Sequence, residues 1–269
     1  MTILDIRHLE IEYEGGTKAV KDISMQIEEG ELVCIVGESG SGKSTLIRAI
    51  LGLLPSGGKI NKGEIKFKEH DLVTISKVAM NDLRGKDIAM IFQNSAASLD
   101  PIQKIEKQYR EAIRVHDVKT TKEKCKEIAT NMLRMMRLQD TERVLDSYSC
   151  QLSGGMNQRV GIAMAMTAKP TLLLADEPTS ALDVTVQAQV VRQIKELKEK
   201  FGTTIIMVTH NIGVASYLSD KIAVMKEGEV VEWGTRNEVI FNPKAEYTKM
   251  LLDAVPKLYD EQEEVEKVV

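Results

Sequence analysis

The fold is decided by the stretch Gly37-Glu38-Ser39-Gly40-Ser41-Gly42-Lys43-Ser44-Thr45. It matches the pattern G-x-x-x-x-G-K-[ST], in which successive backbone N–H groups point inward and cradle the phosphates of a nucleotide. In this pattern Lys43 reaches the β- and γ-phosphates, and the Ser44 hydroxyl binds a magnesium ion. The stretch therefore predicts a site for a nucleotide and Mg²⁺.

The sequence on either side has the character that such a loop requires. Residues 31–36, Glu-Leu-Val-Cys-Ile-Val, form a short apolar run typical of a strand, and residues 45–54 predict a helix. The phosphates would then lie at the positive N-terminus of that helix. This order of strand, loop and helix argues against the alternative, a glycine-rich turn without a ligand.

The overall composition argues against several other classes of protein. The chain has 269 residues and a net charge of -4, so it carries no basic footprint for nucleic acid. Its cysteines, Cys34, Cys125 and Cys150, include no C-x-x-C pair, which indicates neither a disulfide framework nor a zinc or iron–sulfur site. We find no signal-peptide core and no apolar run of about 18 residues, and expect a soluble chain that meets a membrane only through partners.

The order of apolar segments predicts an α/β fold. Strand-like runs at residues 3–11 and 19–27 precede the strand at 32–36 and indicate an antiparallel N-terminal part. Residues 104–150 are helical in character, and residues 160–240 alternate between strand and helix patterns. We therefore predict a P-loop NTPase (RecA-like) core with a mainly parallel sheet, an N-terminal antiparallel β subdomain and an inserted α-helical subdomain.

The corresponding domain limits follow from the same pattern. Residues 1–93 and 160–256 are assigned to the nucleotide-binding core, and residues 94–159 to the helical subdomain. Residues 257–269 form an acidic tail that we expect to be solvated. Within the helical part, we expect a packed core face formed by Ile128, Met132, Met135 and Met136.

Two carboxylates end the apolar run at residues 172–177, Leu-Leu-Leu-Ala-Asp-Glu. In a P-loop ATPase such a strand places the first carboxylate, Asp176, beside the magnesium ion. Glu177 points differently, because side chains alternate along a strand, and can act as the general base for the attacking water. Taken alone, the pair could also be solvated acids at a strand end.

A helix start lies shortly upstream, in Leu-Ser-Gly-Gly-Met-Asn-Gln-Arg at residues 152–159. Ser153 is a natural N-cap, and Gly154 and Gly155 let backbone N–H groups approach an anion closely. On its own this would be an ordinary helix start. Its place between the helical segment and the carboxylate strand makes it informative.

In these motifs the chain resembles the ATP-binding subunits of ABC transporters, over about residues 1–256. The resemblance implies that residues 37–45 are the Walker A loop and that Gln93 is the Q-loop glutamine, which touches magnesium and senses the membrane partner. It also implies that Ser153, Gly154 and Gly155 belong to the signature loop, which contacts the γ-phosphate bound on the opposite subunit. Asp176 and Glu177 match Walker B, and Asp183 belongs to the D-loop.

Two further residues take roles from the resemblance. Tyr13 stands where the family has an aromatic residue stacked on the adenine ring, although it could also be a partly exposed strand aromatic. His210 matches the switch histidine that holds the γ-phosphate, whereas alone it would more often be a helix-terminal or core histidine. The implied activity is ATP hydrolysis coupled to solute import, with ATP and Mg²⁺ sandwiched between two such subunits.

Local sequence narrows the branch of the family. Residues 92–101, 208–215 and 242–252 are similar to the oligopeptide, dipeptide and nickel importers. The chain departs from that branch at Asn157, where Arg is usual, and at Glu69, where Gly is usual. Because the peptide-transporting members commonly carry a longer C-terminal region, the length favours nickel or other chelated transition metals as the cargo.

The resemblance also implies partners. These are a second ATPase subunit, either a different chain or a second copy, two membrane permeases and, indirectly, an extracellular solute-binding protein. A groove beside Gln93 would receive a short permease helix, which places the chain on the cytoplasmic face of the cell membrane. The competing interpretation is a soluble ABC-type ATPase that acts on nucleic acid or ribosomes; the acidic charge and the single set of motifs argue against it.

Overall fold

The computed structural model describes residues 1–180 and 182–254. The strands are β1 (Thr2–Tyr13), β2 (Thr17–Glu28), β3 (Leu32–Val36), β4 (Lys59–Phe67), β5 (His70–Asp71), β6 (Ile88–Ile91), β7 (Leu172–Asp176), β8 (Thr204–Thr209), β9 (Lys221–Lys226) and β10 (Glu229–Thr235). The helices are α1 (Lys43–Ile50), α2 (Lys77–Leu83), α3 (Ser95–Ser98), α4 (Ile105–Arg114), α5 (Lys122–Met135), α6 (Thr141–Asp146), α7 (Gly154–Ala165), α8 (Val184–Phe201), α9 (Ile212–Leu218), α10 (Arg236–Phe241) and α11 (Glu246–Asp253), with a 3₁₀ turn at Ser149–Gln151.

The larger sheet has the strand order β10-β9-β3-β8-β7-β6. Strands β9, β3, β8, β7 and β6 pair in parallel, and β10 pairs antiparallel with β9. Every residue of β3, β7 and β8 is buried, as expected for parallel strands covered on both faces. The predicted mainly parallel α/β sheet is confirmed.

The smaller sheet is antiparallel, with the order β2-β1-β4-β5, and confirms the predicted N-terminal β part. One hydrophobic cluster contains residues from both sheets. Val33 and Ile35 of β3 point into a cluster with apolar residues of the smaller sheet, whereas Cys34 and Val36 point into a cluster with the helices on the other face. This division follows the alternation of side chains along a strand. Strand β3 is therefore one of the strands of the larger sheet that separate two hydrophobic cores.

The helical segment between β6 and β7 has its own apolar face. Met132 and Met136 are buried, and Met135 packs partly buried against the same cluster, as predicted. Ile128 differs, because it is only half-buried and lines an open groove. The proposed limits of the helical subdomain stay predictions, and the acidic tail at 257–269 lies outside the described residues.

Helix α1 ends earlier than the predicted limit at residue 54. The backbone of Gly52 has a φ of 61°, and its N–H donates to the carbonyl of Ala49 while Leu53 N–H donates to Arg48. This pair of bonds is a Schellman ending, which a glycine in the left-handed region permits.

Among the helices of the described residues, none combines the length and apolar character needed to cross a bilayer.

Candidate active site

The loop at residues 37–45 joins β3 to α1 and is compressed from behind by two other strands. A Cβ on Gly42, whose φ is 98°, would lie 2.1 Å from the carbonyl oxygen of Ala19 in β2. A Cβ on Gly37, whose φ is 153°, would lie 2.1 Å from the carbonyl oxygen of Met225 in β9. Only glycine fits at either position, because a Cβ would clash with the backbone behind the loop.

Lys43 is held inside this loop. Its ammonium group donates to the carbonyls of Gly37 at 2.8 Å and Glu38 at 2.6 Å, and lies 3.3 Å from the Ser41 hydroxyl. Burial lowers the pKa of Lys43, although the carboxylates of Glu177, Asp176 and Glu38 act to raise it. The lysine is thus a partly desolvated cation, a state in which an anionic ligand binds strongly.

The structure brings together Ser44 and Asp176, whose roles as magnesium ligands stay predictions. The Ser44 hydroxyl donates a hydrogen bond of 2.7 Å to Oδ1 of Asp176, which is 1% exposed. Arg48, one turn further along α1, lies 3.3 Å from Oδ2 of the same carboxylate. Sequence reasoning missed Arg48, but its i+4 spacing from Ser44 places both on one face of the helix.

This donor set fits Mg²⁺. The ion prefers oxygen ligands and is usually held by one or two carboxylates together with substrate phosphates, not by a cage of protein groups. Ser44 and Asp176 supply one hydroxyl and one carboxylate beside the loop that the phosphates would enter. Within the described residues, no cluster of three or more His, Cys, Asp or Glu side chains could hold a metal by itself.

Glu177, Gln93 and His210 converge beyond the strand ends. Oε2 of Glu177 accepts a hydrogen bond from Gln93 Nε2 at 3.2 Å and lies 3.3 Å from His210 Nδ1. The three residues follow the neighbouring strands β7, β6 and β8, and the carboxyl ends of parallel strands are where ligands bind in open α/β sheets. Glu177 takes a left-handed backbone conformation with a φ of 44°, one residue beyond the end of β7.

Tyr13 lies at the side of the same loop. Its hydroxyl is 3.2 Å from Oγ1 of Thr45, and it lines a cavity of about 390 Å³ between the β1–β2 turn and Gly57–Gly58. This geometry does not bear on the predicted stacking of Tyr13 on adenine. That role stays a prediction.

The residues that the resemblance assigns to the signature loop and to the D-loop are both found at helix starts. Ser153 caps α7 by accepting from Met156 N–H at 3.3 Å, and Asp183 caps α8 by accepting from Val186 N–H at 2.9 Å. A Cβ on Gly155 would meet the Val186 side chain at 2.9 Å, so these two helix starts are neighbours. In the part of the chain that the structure describes, no hydrogen bond or ion pair connects Ser153–Gly155 or Asp183 to residues 37–45.

An apolar groove of about 590 Å³ is lined by Phe92, the residue that precedes Gln93 in the chain. It lies between the β6 end of the core and the helices α4, α5 and α7, and its lining includes Leu53, Phe92, Val115, His116, Ile128 and Met164. Phe92 and Leu53 are about two-fifths exposed, at 40% and 41%. The groove therefore presents apolar surface one residue along the chain from Gln93, which contacts Glu177.

The fold and the site together define a P-loop nucleotide hydrolase. The parallel sheet leads into a phosphate-binding loop, a buried carboxylate is bonded to Ser44, and a second carboxylate contacts Gln93 and His210. The chain belongs to the ABC transporter family, whose model matches residues 20–180. It is 42% identical to the oligopeptide transport ATP-binding protein OppD of Bacillus subtilis, over 97% of this chain and 74% of that protein. It is 39% identical to the dipeptide transport ATP-binding protein DppD of Lactococcus lactis, over 94% of this chain and 74% of that protein.

Solved structures agree with this assignment. The ATP-binding cassette MJ0796, in a dimeric post-hydrolysis state with ADP and phosphate, matches with a TM-score of 0.78 and 30% identity, over 87% of this chain and 98% of that one. CbiO1 of Clostridium perfringens, part of an ABC transporter complex, matches with a TM-score of 0.76 and 28% identity, over 90% and 91%. The resemblance seen in the motifs is confirmed: the chain is an ATP-binding subunit of an ABC transporter that hydrolyses ATP.

Proposed function

We propose that this chain powers a peptide importer, working as one of two ATPase subunits docked on two permeases. The observation that carries the proposal is the convergence of Gln93, Glu177 and His210 beside the Ser44–Asp176 pair. The nature of the cargo is supported by relatives that are named for oligopeptide and dipeptide transport. The specific assignment to nickel or a chelated metal stays a prediction, because it rested on length alone.

In the proposed reaction, Lys43 and the loop amides bind the β- and γ-phosphates of ATP. Ser44 and Asp176 hold Mg²⁺, which when bound neutralises charge on those phosphates. Glu177 accepts a proton from the water that attacks the γ-phosphorus, and ADP leaves. Gln93 and His210 hold the Glu177 carboxylate in place, since both contact its Oε2. Positioning and charge stabilisation carry most of the rate enhancement in such a transfer.

The site of one chain would be completed by a second subunit. Ser153, Gly154 and Gly155 begin a helix of 12 residues, whose N-terminal amides favour an anion. Gly154 is exposed, and a Cβ there would meet nothing within 4 Å. We infer that these amides face the γ-phosphate held by a partner ATPase, which is either a second copy or a sister chain. ATP hydrolysis then depends on closure of the dimer.

The apolar groove beside Gln93 is the proposed docking place for a permease helix. Because Gln93 contacts Glu177, a helix seated there could influence the general base. We infer that the chain sits on the cytoplasmic face of the cell membrane and is connected through the permeases to an extracellular solute-binding protein. The site would close only when the permeases bring two subunits together.

The test is uptake by a strain that lacks this chain. Labelled oligopeptides and labelled nickel are offered separately, and the strain is complemented with the wild type or with Glu177→Gln. We expect peptide uptake to be restored by the wild type alone. Restoration of nickel uptake without peptide uptake would reassign the cargo. If the tagged chain purified with nucleic acid or ribosomes and without membrane proteins, a transport role would be excluded.

A further inference from the structure

The C-terminal helix α11 contacts the phosphate-binding loop through one side chain. The backbone N–H of Glu38, the second residue of the loop, donates a hydrogen bond of 3.0 Å to the hydroxyl of Tyr247. The two residues are 209 positions apart in the sequence. Tyr247 is 8% exposed and belongs to the apolar cluster that also contains Val36, the last residue of β3.

Tyr247 is fixed from both sides. At the start of α11, the carboxylate of Glu232 in β10 accepts from the N–H groups of Lys244 at 2.8 Å and Ala245 at 3.1 Å. The ammonium of Lys226, at the end of β9, lies 5.1 Å from the centroid of the Tyr247 ring. The helix therefore presents the hydroxyl to the loop from a framework attached to the larger sheet.

The contact acts on a single peptide unit. Glu38 N–H and the Gly37 carbonyl belong to the same planar peptide group. Tyr247 accepts from the N–H, while the carbonyl accepts from Lys43 Nζ at 2.8 Å. Rotation of this peptide would break both bonds together. The orientation of the Lys43 partner is thus tied to α11.

The same loop has one further brace from the edge of the sheet. Gly228, in the β9–β10 turn, donates its N–H to the Ser41 carbonyl at 3.1 Å.

The hydroxyl of Tyr247 remains protonated at neutral pH, because burial and the nearby Glu38 carboxylate raise its pKa. A neutral hydroxyl can accept from Glu38 without adding negative charge to an anion site.

We propose that Tyr247 is a positioning residue for ATP binding, which keeps the phosphate-binding loop in the conformation that receives the phosphates. Without its hydroxyl, the Gly37–Glu38 peptide samples other orientations, and the binding-competent fraction of the loop falls. One net hydrogen bond corresponds to a change of about three- to tenfold in affinity. The inference depends on the ATP site alone, so it stands or fails independently of the transported cargo.

The test compares Tyr247→Phe with Tyr217→Phe. Tyr217 is 52% exposed on α9 and also lies near a lysine, 5.4 Å from Lys195, which makes it a matched control. Binding of a fluorescent ATP analogue with Mg²⁺ is measured by titration, and amide hydrogen exchange is followed in the peptide that covers residues 37–45. We expect Tyr247→Phe to weaken binding about three- to tenfold and to accelerate exchange in the loop. With partner subunits present, KM should rise while kcat is kept.

Two results would overturn the proposal. One is wild-type affinity and wild-type loop exchange in Tyr247→Phe. The other is faster exchange spread evenly over the whole chain, which would make the tyrosine a general stabilising residue. Tyr217→Phe should change neither readout. A second variant, Glu232→Ala, removes the anchor of α11 but keeps the hydroxyl, and it should raise loop exchange in the same direction.

Discussion

Ser44 and Asp176 are joined by a hydrogen bond of 2.7 Å although they lie 132 positions apart. The bond fastens the first turn of α1 to the end of β7, the two places from which Mg²⁺ would draw its protein ligands. In Asp176→Asn the side chain still accepts from Ser44 but loses its charge. We expect the Mg²⁺ concentration needed for half-maximal ATP binding to rise at least about tenfold. Nucleotide titrations at stepped Mg²⁺ measure this, and an unchanged midpoint would argue against a metal ligand at this position.

Glu177→Gln should separate binding from turnover. The amide keeps the shape of the side chain but cannot accept a proton from water, so we expect ATP affinity within about twofold of wild type and a fall in kcat of at least about 100-fold. Steady-state phosphate release with the partner subunits measures the rate. Glu199→Gln, at an exposed position of α8, is the control and should hydrolyse normally. Equal rates in Glu177→Gln and wild type would disprove the general-base role.

Lys43→Ala should weaken nucleotide binding strongly. The ammonium contributes a partly desolvated charge within the loop, and without it we expect at least about 30-fold weaker binding of ATP. Calorimetric titration of the folded variant gives the affinity. Lys107→Ala, on the exposed face of α4, should bind as the wild type does. If the Lys43 variant bound ATP as tightly as the control, the assignment of the loop would be wrong.

Gly42→Ala should destabilise the fold much more than Gly30→Ala. Both glycines have positive φ, 98° and 78°, but an added Cβ at Gly42 would meet the backbone of Ala19 at 2.1 Å, and one at Gly30 meets nothing within 4 Å. We expect the free energy of unfolding to fall by more than about 3 kcal/mol for Gly42→Ala and by about 1 kcal/mol for Gly30→Ala. Urea denaturation compares them. Similar losses would mean that the loop is not compressed against β2.

The cysteines should differ in reactivity. Cys34 is buried in β3, and burial raises the pKa of its thiol to about 12, so the reactive thiolate is scarce at neutral pH. Cys125 is also buried, whereas Cys150 is exposed. A thiol reagent added to the native protein at neutral pH should modify Cys150 quickly and the other two only after denaturation. Rapid modification of Cys34 in the native state would contradict the packing of β3.

The motif residues were predictable because their chemistry and spacing are local. The loop at residues 37–45 and the pair Asp176–Glu177 each sit at the end of an apolar strand, and parallel strands bring such ends to one edge. The first residues of β4 give no such signal, since Lys-Ile-Asn-Lys at residues 59–62 carries no strand pattern. The structure places them opposite β1, with Gly63 at a φ of 99° where the backbones of Arg7 and His8 approach closely.

Other contacts depend on the assembled fold and leave little trace in the sequence. Arg48 lies four residues after Ser44, a helical spacing that is visible in the sequence. Its contact with Asp176 is not visible there, because Asp176 belongs to another element. The contact between Tyr247 and Glu38 has no local signal at all, because it exists only after α11 has packed on the sheet. For helix α11 itself, the only signal in the sequence is the similarity of residues 242–252 to the importer branch of the family.

The double-sided burial of β3 has a consequence for how this subunit fails under stress. One short strand belongs to both cores and also carries the loop that grips ATP. We therefore expect loosening of either core to disturb the position of Lys43, even while other parts of the chain remain folded. ATP hydrolysis would then be lost before unfolding is complete. A partly unfolded subunit would leave the transporter inactive and would not hydrolyse ATP without transport.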